Sequence, residues 1–352
     1  MTYGNYPDLS CVKKALVIKL RHHGDVLLTS PVFSNLAAAI SGVEVDAMVY
    51  EETSPMLEGH PAIRKLVTYD RKWKKLRFFQ RMLRELSLLY RIRREKYDLV
   101  INLTEGDRGA IAALVSGAKI RVGLAGRVFT HLVKMCKTPR HTVEKNLDAL
   151  RRMGIFPTPE ERDLYFHIPQ ESYGRVEQLL GGIDRYFLLH PVSRWRFKCW
   201  PTRLVAQLMI ELHRRGEKIV ITASPDPQEM KMVEEILEQA PNIPVTNLAG
   251  KTSLKELGAL IERSECLICV DSVPLHIASA LKKRTVVLFG PSSELNWGPW
   301  QNSQACVVTQ QFSCRPCFMD GCGGSKMSDC LETLPLSRVM QAIESLSPTD
   351  NY

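Results

Sequence analysis

The stretch Cys266-Leu267-Ile268-Cys269-Val270-Asp271-Ser272-Val273-Pro274-Leu275-His276-Ile277-Ala278 changes character partway along. Its opening residues, Cys266 to Val270, form an unbroken apolar run and read as a strand buried on both faces. Asp271-Ser272 followed by Pro274 reads as a helix start, with a polar residue at the cap and a proline in the first turn, where its missing N–H costs nothing. A buried strand that feeds directly into a helix is the repeating unit of a parallel sheet covered by helices. The first turn of such a helix has N–H groups without intrahelical acceptors, which makes the Asp271-Ser272 turn suited to an anion such as a diphosphate. His276, one turn further on, is placed to face the same ligand. A capped helix with a satisfied histidine is the plainer reading, but it does not account for a polar cluster at the ligand edge of the sheet.

The same rhythm extends in both directions. In the second half, strands are expected at 185–189, 218–222, 266–270 and 285–289, and helices at 202–215, 228–239, 253–264 and 274–280. In the first half, the run 15–20 reads as a strand followed by a glycine-containing turn. Thr29-Ser30-Pro31 opens a helix over 32–40, and a strand at 43–50, a short helix at 54–58, a strand at 97–103 and a helix at 109–115 follow. The pattern breaks around Phe156-Pro157-Thr158-Pro159 and stays polar as far as Pro169. The expectation is an α/β protein of two doubly wound, Rossmann-like domains, 1–168 and 169–352, with the last helix free to pack back on the first domain. A length of 352 residues with 45% hydrophobic content fits two cores, since single domains hold roughly 50–200 residues. No apolar run approaches the roughly 20 residues of a membrane span. The start Met1-Thr2-Tyr3-Gly4-Asn5-Tyr6-Pro7-Asp8 has no basic, then apolar, leader pattern. The chain therefore reads as cytoplasmic.

The net charge is +9, and between Arg71 and Lys96 eleven Lys/Arg residues face two acids, Glu85 and Glu95. Such a segment is either a solvated helical face or a site for a polyanion: nucleic acid, an anionic membrane or a phosphorylated substrate. Trp73, Phe78, Phe79, Leu83, Leu86 and Leu89 recur among the charges at roughly helical spacing, so an amphipathic helix is expected. A nucleic-acid partner would rest on net charge alone and is set aside.

Open α/β sheets bind ligands beyond the carboxyl ends of their strands. Asp25, in Arg21-His22-His23-Gly24-Asp25 after the first strand, lies there and can accept a proton, though a turn or cap role is equally common for aspartate. His190-Pro191-Val192-Ser193-Arg194-Trp195-Arg196-Phe197-Lys198-Cys199-Trp200 follows the first strand of the second half. Its hydroxyl and three cations can neutralise phosphate, and two tryptophans favour an ordered loop over a solvated one. Ala249-Gly250-Lys251-Thr252 mimics the end of a phosphate-binding loop, but the required earlier glycine is Val245, and no Gly-x-Gly-x-x-Gly follows the first strand. Four of the ten cysteines cluster as Cys314, Cys317, Cys322 and Cys330. Their spacing matches no standard ribbon, and metal, disulfide and plain thiol readings stay open.

Taken together these stretches resemble the lipopolysaccharide heptosyltransferases, glycosyltransferase family 9. The likeness runs through Ile18-Lys19-Leu20-Arg21-His22-His23-Gly24-Asp25, Tyr97–Thr104, Phe197-Lys198-Cys199-Trp200, Leu248-Ala249-Gly250-Lys251, Asp271-Ser272-Val273-Pro274-Leu275-His276 and Trp297-Gly298-Pro299-Trp300. The heptosyltransferase III branch is the most similar, although the cysteine segment looks more like heptosyltransferase II relatives. Val273-Pro274 stands where most members have Gly-Leu. The resemblance implies a GT-B fold, two Rossmann-like domains facing a cleft, the first taking the acceptor and the second ADP-heptose. It implies inverting transfer to the inner core without metal or other cofactor. Asp25 would be the general base, Lys198 and Ser193 phosphate ligands, Asp271, Ser272 and His276 the donor turn, and Glu229 an adenosine contact. The implied acceptor is a phosphorylated lipid A–core oligosaccharide at the inner face of the cytoplasmic membrane, where the protein would be peripheral. A heptosyltransferase II-type transfer, or a non-catalytic nucleotide- or polyanion-binding protein of the same fold, is the alternative.

Overall fold

The computed structural model describes residues 6–134, 136 and 138–346; residues 1–5 of the leader reading lie outside them. The chain divides into two compact units, Met1–His167 and Ile168–Tyr352. The first holds β1 (Lys14–Lys19), β2 (Glu44–Tyr50), β3 (Lys65–Tyr69), β4 (Leu99–Asn102), β5 (Ile120–Gly123) and β6 (His131–Leu132) in one parallel sheet of order β3-β2-β1-β4-β5-β6. The second holds β7 (Phe187–His190), β8 (Ile219–Ile221), β9 (Val245–Asn247), β10 (Cys266–Val270), β11 (Thr285–Phe289) and β12 (Ala305–Thr309), in order β12-β11-β10-β7-β8-β9. Numbered within its own unit, each sheet has the order 3-2-1-4-5-6 of doubly wound folds.

Central strands are mainly apolar, with polar residues at their ends, because helices cover both faces of each sheet. Every residue of β7, β10 and β11 is buried. In the first unit Leu16 and Ile18 of β1 enter a core with Tyr69, Val100 and Phe129. In the second, Leu189, Ile268 and Leu288 pack with Val205, Met209 and Ile236. Strand order reverses between β1 and β4, where Ile18 pairs with Asn102, and between β7 and β10, where His190 pairs with Cys269. The helices that follow these neighbouring strands run to opposite faces, which opens a crevice at each reversal.

The glycine-containing turn expected after β1 is a one-turn helix, His23–Leu27, closed by Leu28 N donating to Gly24 O. The next helix, Ser30–Ala39, carries its proline in the first turn as expected. The short helix expected at 54–58 is a 3-10 segment, Glu51–Met56. The basic segment divides into a 3-10 turn, Arg71–Lys75, and a helix, Phe78–Glu95, separated by extended Leu76 and Arg77. Strands β3, β5, β6, β9 and β12 were not expected, nor were the helices Thr142–Arg151 and Gln170–Leu180. The final described helix, Leu336–Leu346, packs on β12 and on the helix Thr202–Arg214 of its own unit, with Val339 and Ile343 in that unit's core.

Candidate active site

In the second unit the reversal between β7 and β10 is occupied by an ion pair. Lys198 reaches it from the loop after β7, and Asp271 is the first residue beyond β10. Lys198 Nζ donates to Asp271 Oδ2 at 2.6 Å, and Asp271 is only 5% exposed. A carboxylate so buried is tolerated because a cation is in contact with it. The same contact fixes the ammonium group at the ligand edge.

The lysine's loop is rigid for reasons its sequence supplies. Ser193 N donates to the sulfur of Cys199 at 3.2 Å, and the Cys199 thiol donates back to Ser193 O at 3.6 Å. Burial pushes that thiol up to about 12, so it stays neutral and able to donate. The Ser193 hydroxyl accepts from Trp195 N at 3.3 Å. Buried Trp200 donates from Nε1 to Leu334 O at 3.0 Å, and Ser328 Oγ donates to Phe197 O at 2.8 Å. His190 lies under the loop, 3.0 Å from Thr222 Oγ1, with burial pushing it down to about 4, so it is neutral.

Beyond Asp271, Ser272 has extended N-cap geometry but makes no side-chain cap bond to the helix Val273–Ala280; its hydroxyl donates to Val270 O at 3.2 Å. Pro274 contributes no N–H and Leu275 N already donates to Ser272 O at 3.2 Å, so in that first turn it is the Val273 N–H that is left for an outside acceptor. His276 lies on the same helix and is buried. Glu229, beyond β8 in the first turn of the helix Pro227–Glu238, is also buried and accepts from Ser224 N at 2.9 Å. Its charge acts on Cys199, which ties it electrostatically to the lysine's loop. Ser193, Lys198, Asp271, Ser272, His276 and Glu229 thus all belong to the carboxyl-end loops and helix starts of one sheet, and Lys198 and Asp271 are in contact.

In the first unit Asp25 occupies the corresponding place, after β1 and beside the reversal to β4. It is half-buried, in the first turn of His23–Leu27, and among the described residues none donates a hydrogen bond to its carboxylate. The helix is held by His23 Nε2, 2.7 Å from Glu52 O. Beneath it lies Lys19, the last residue of β1, which sequence reasoning passed over. Its ammonium group is buried and donates to Leu103 O at 3.2 Å and Asn146 Oδ1 at 3.0 Å, and its charge interacts with that of Asp25. A lysine interrupting an otherwise apolar buried strand was the signal that could have found it.

Burial lowers Lys19 from an ordinary 10.5 to about 8. Below pH 8 both folded and unfolded chains carry the proton, and the cost of the buried charge is fully present. Between about 8 and 10.5 only the unfolded chain carries it, so raising the pH through that window adds stability at this position. The thermal midpoint of wild type minus that of Lys19→Met should therefore grow across this window in paired melts. A flat difference would contradict a buried, titrating lysine.

The clustered cysteines behave differently. Cys314 and Cys322 are exposed, Cys317 is half-buried and Cys330 is buried. Among the described residues no three His, Cys, Asp or Glu side chains converge as a metal-binding group. Also among the described residues, no helix is long and apolar enough to cross a membrane.

Glycosyltransferase family 9 (heptosyltransferase) matches residues 86–327. The chain is 32% identical over 343 residues to lipopolysaccharide heptosyltransferase 3 of Escherichia coli K12, covering 94% of this chain and 97% of that one. Among solved structures it is similar to a glycosyl transferase family 9 protein of Veillonella parvula, with a TM-score of 0.83, 23% identity and coverage of 98% and 99% of the two chains. It is also similar to E. coli heptosyltransferase WaaC with ADP, at a TM-score of 0.71, 19% identity and coverage of 95% and 100%. The two Rossmann-like units are those of the GT-B fold.

Proposed function

We infer the reaction from one premise: the chain belongs to glycosyltransferase family 9, the heptosyltransferases. It is a glycosyltransferase that moves heptose from ADP-L-glycero-D-manno-heptose to the inner core of lipopolysaccharide, with inversion at the transferred carbon. Likeness to a heptosyltransferase 3 along nearly the whole chain supports the branch that adds the side-branch heptose.

The observation that carries the reading is the Lys198–Asp271 pair at the β7–β10 reversal. In a single displacement the acceptor hydroxyl attacks one face of the sugar while the diphosphate departs from the other. The reaction needs a base on the first side and positive charge on the second. Lys198 supplies the charge, with the Ser193 hydroxyl and the first turn of Val273–Ala280 beside it. Asp271 and Ser272 shape that turn: Asp271 aims the ammonium group, because a carboxylate placed against a diphosphate would repel it. His276, on the same helix, completes the donor turn, and Glu229 takes the adenosine. Asp25, in the first unit, removes the proton of the acceptor hydroxyl. In this scheme fixed protein charge does the work of a metal, so no metal or other cofactor is required. The acceptor is the phosphorylated lipid A–core oligosaccharide, which places the protein at the cytoplasmic face of the inner membrane.

The test is to incubate the purified protein with ADP-heptose and core oligosaccharide taken from a strain lacking this protein. Release of ADP with the mass gain of one heptose is expected. Transfer only to a core shortened by a further heptose would point to heptosyltransferase II-type activity. Nucleotide binding without ADP release on any core would leave a non-catalytic binder and sink the reading.

A further inference from the structure

The helix Phe78–Glu95 presents two apolar faces where its packing needs only one. Leu88 and Ile92 are its only buried residues and join the core of the first unit. Phe79, Leu83, Leu86 and Tyr90 follow the i, i+4, i+7, i+11 spacing of a single stripe, on the far side of the helix from Leu88 and Ile92. They are 71%, 64%, 54% and 67% exposed. Phe78 and Met82 extend the stripe, and Phe78 and Phe79 stack edge-on with ring centroids 5.7 Å apart. The helix Asp107–Ser116, packed alongside, adds exposed Ile111 and Leu114. So much apolar surface in one place, with no core to cover it, marks an interaction site.

The charges around the stripe say what covers it. Lys74, Lys75, Arg77, Arg84, Arg91 and Arg94 are exposed, and among the described residues none of them has an ion-pair partner. Of the other cations of the segment, Arg71 pairs with Glu52, Arg81 with Glu85, and Arg93 donates to Ser116 O, while Lys72 and Lys96 are exposed and likewise have no ion-pair partner among the described residues. An apolar stripe of aromatic and aliphatic side chains bordered by unpaired Lys and Arg matches an anionic bilayer surface. Its acyl region takes the stripe, and its headgroups take the cations. A protein partner would need an apolar groove with an acidic border on both sides.

We propose that Phe78–Glu95 is a membrane-docking helix lying in the plane of an anionic lipid surface, with Phe79, Leu83, Leu86 and Tyr90 inserted among the acyl chains. The proposal deepens the membrane-face placement made above and stands on the exposure pattern rather than on the transfer reaction. Attachment is reversible, and it presents the first unit to lipid-linked material while the catalytic groups remain outside the bilayer.

Flotation with vesicles of phosphatidylcholine alone and with added phosphatidylglycerol tests it on the full chain. Wild type should float with the anionic vesicles, less so as salt rises. Phe79→Ser/Leu83→Ser should weaken that binding at least about tenfold. Both positions are exposed, so the variant's thermal midpoint should match wild type. In Phe79→Trp/Leu83→Ser and Phe79→Trp chains, tryptophan emission should shift to the blue on anionic vesicles only where Leu83 is retained. Equal flotation of wild type and Phe79→Ser/Leu83→Ser would overturn the proposal, as would wild type that never floats. A dimer in solution abolished by the double substitution would overturn it too, by assigning the stripe to self-association. With a water-soluble, deacylated core acceptor the double variant should transfer at the wild-type rate, and it should fall behind only on acceptor embedded in vesicles. If wild type floats through the stripe but transfers no heptose to either acceptor, the docking helix stands and the reaction reading fails.

Discussion

Asp25→Ala should lower kcat for heptose transfer by about 10²–10⁴-fold, the usual contribution of a positioned general base, and leave the affinity for ADP unchanged. The separation follows from the architecture: Asp25 lies in the first unit, while the groups assigned to the nucleotide lie in the second. Asp25→Asn makes the test sharper. The amide keeps the shape of the carboxylate and the short helix His23–Leu27, but it cannot take a proton. If Asp25 serves as a base, Asn should be nearly as damaging as Ala; if it merely shapes the turn, Asn should restore most of the rate. Pre-steady-state ADP release and equilibrium ADP binding, measured on both variants, decide between them.

Lys198→Met should lower kcat/KM by about 10²–10³-fold, the scale on which a preorganised charge-stabilising group acts. It should also lower the thermal midpoint, because it leaves the buried Asp271 carboxylate without its cation. These two losses have different remedies. Adding Asp271→Asn removes the stranded charge, so the double variant should regain thermal stability. It should not regain transfer, because no ammonium group faces the departing diphosphate. A double variant that recovered both would reduce Lys198 to a structural partner of Asp271. One that recovered neither would mean that the loop itself, rather than the charge, had been lost.

The central strands were legible because burial on both faces makes them largely apolar; the bounds 266–270 and 285–289 hold to the residue. Edge strands escaped for the converse reason. In β9 every residue is half-buried and two of its three are polar, and in β12 only Val308 is fully buried, its short apolar stretch Ala305–Val308 having no helix start directly behind it. The turn at Gly24 was misjudged because glycine reads as a turn residue, whereas here it lies buried inside a helical turn. For the site, sequence located the turns but not their pairing. Lys198 and Asp271 are 73 residues apart, and they meet only because β7 lies beside β10. Lys19 was hidden for a related reason: one acceptor of its buried ammonium group, Asn146, is 127 residues away. The outward stripe of Phe78–Glu95 was visible in the sequence as spacing, but which of two apolar faces is covered is decided by packing alone.

Two of the bonds that hold the Lys198 loop reach far ahead along the chain, from Phe197 to Ser328 and from Trp200 to Leu334. On the ribosome, where domains form in the order in which they are made, the first unit can fold while the second is still being translated. The loop's full set of bonds cannot form until residues 328–334 have emerged. The Lys198 loop is therefore among the last parts of the second unit to be completed, and a chain arrested before residue 328 carries the lysine without these two bonds.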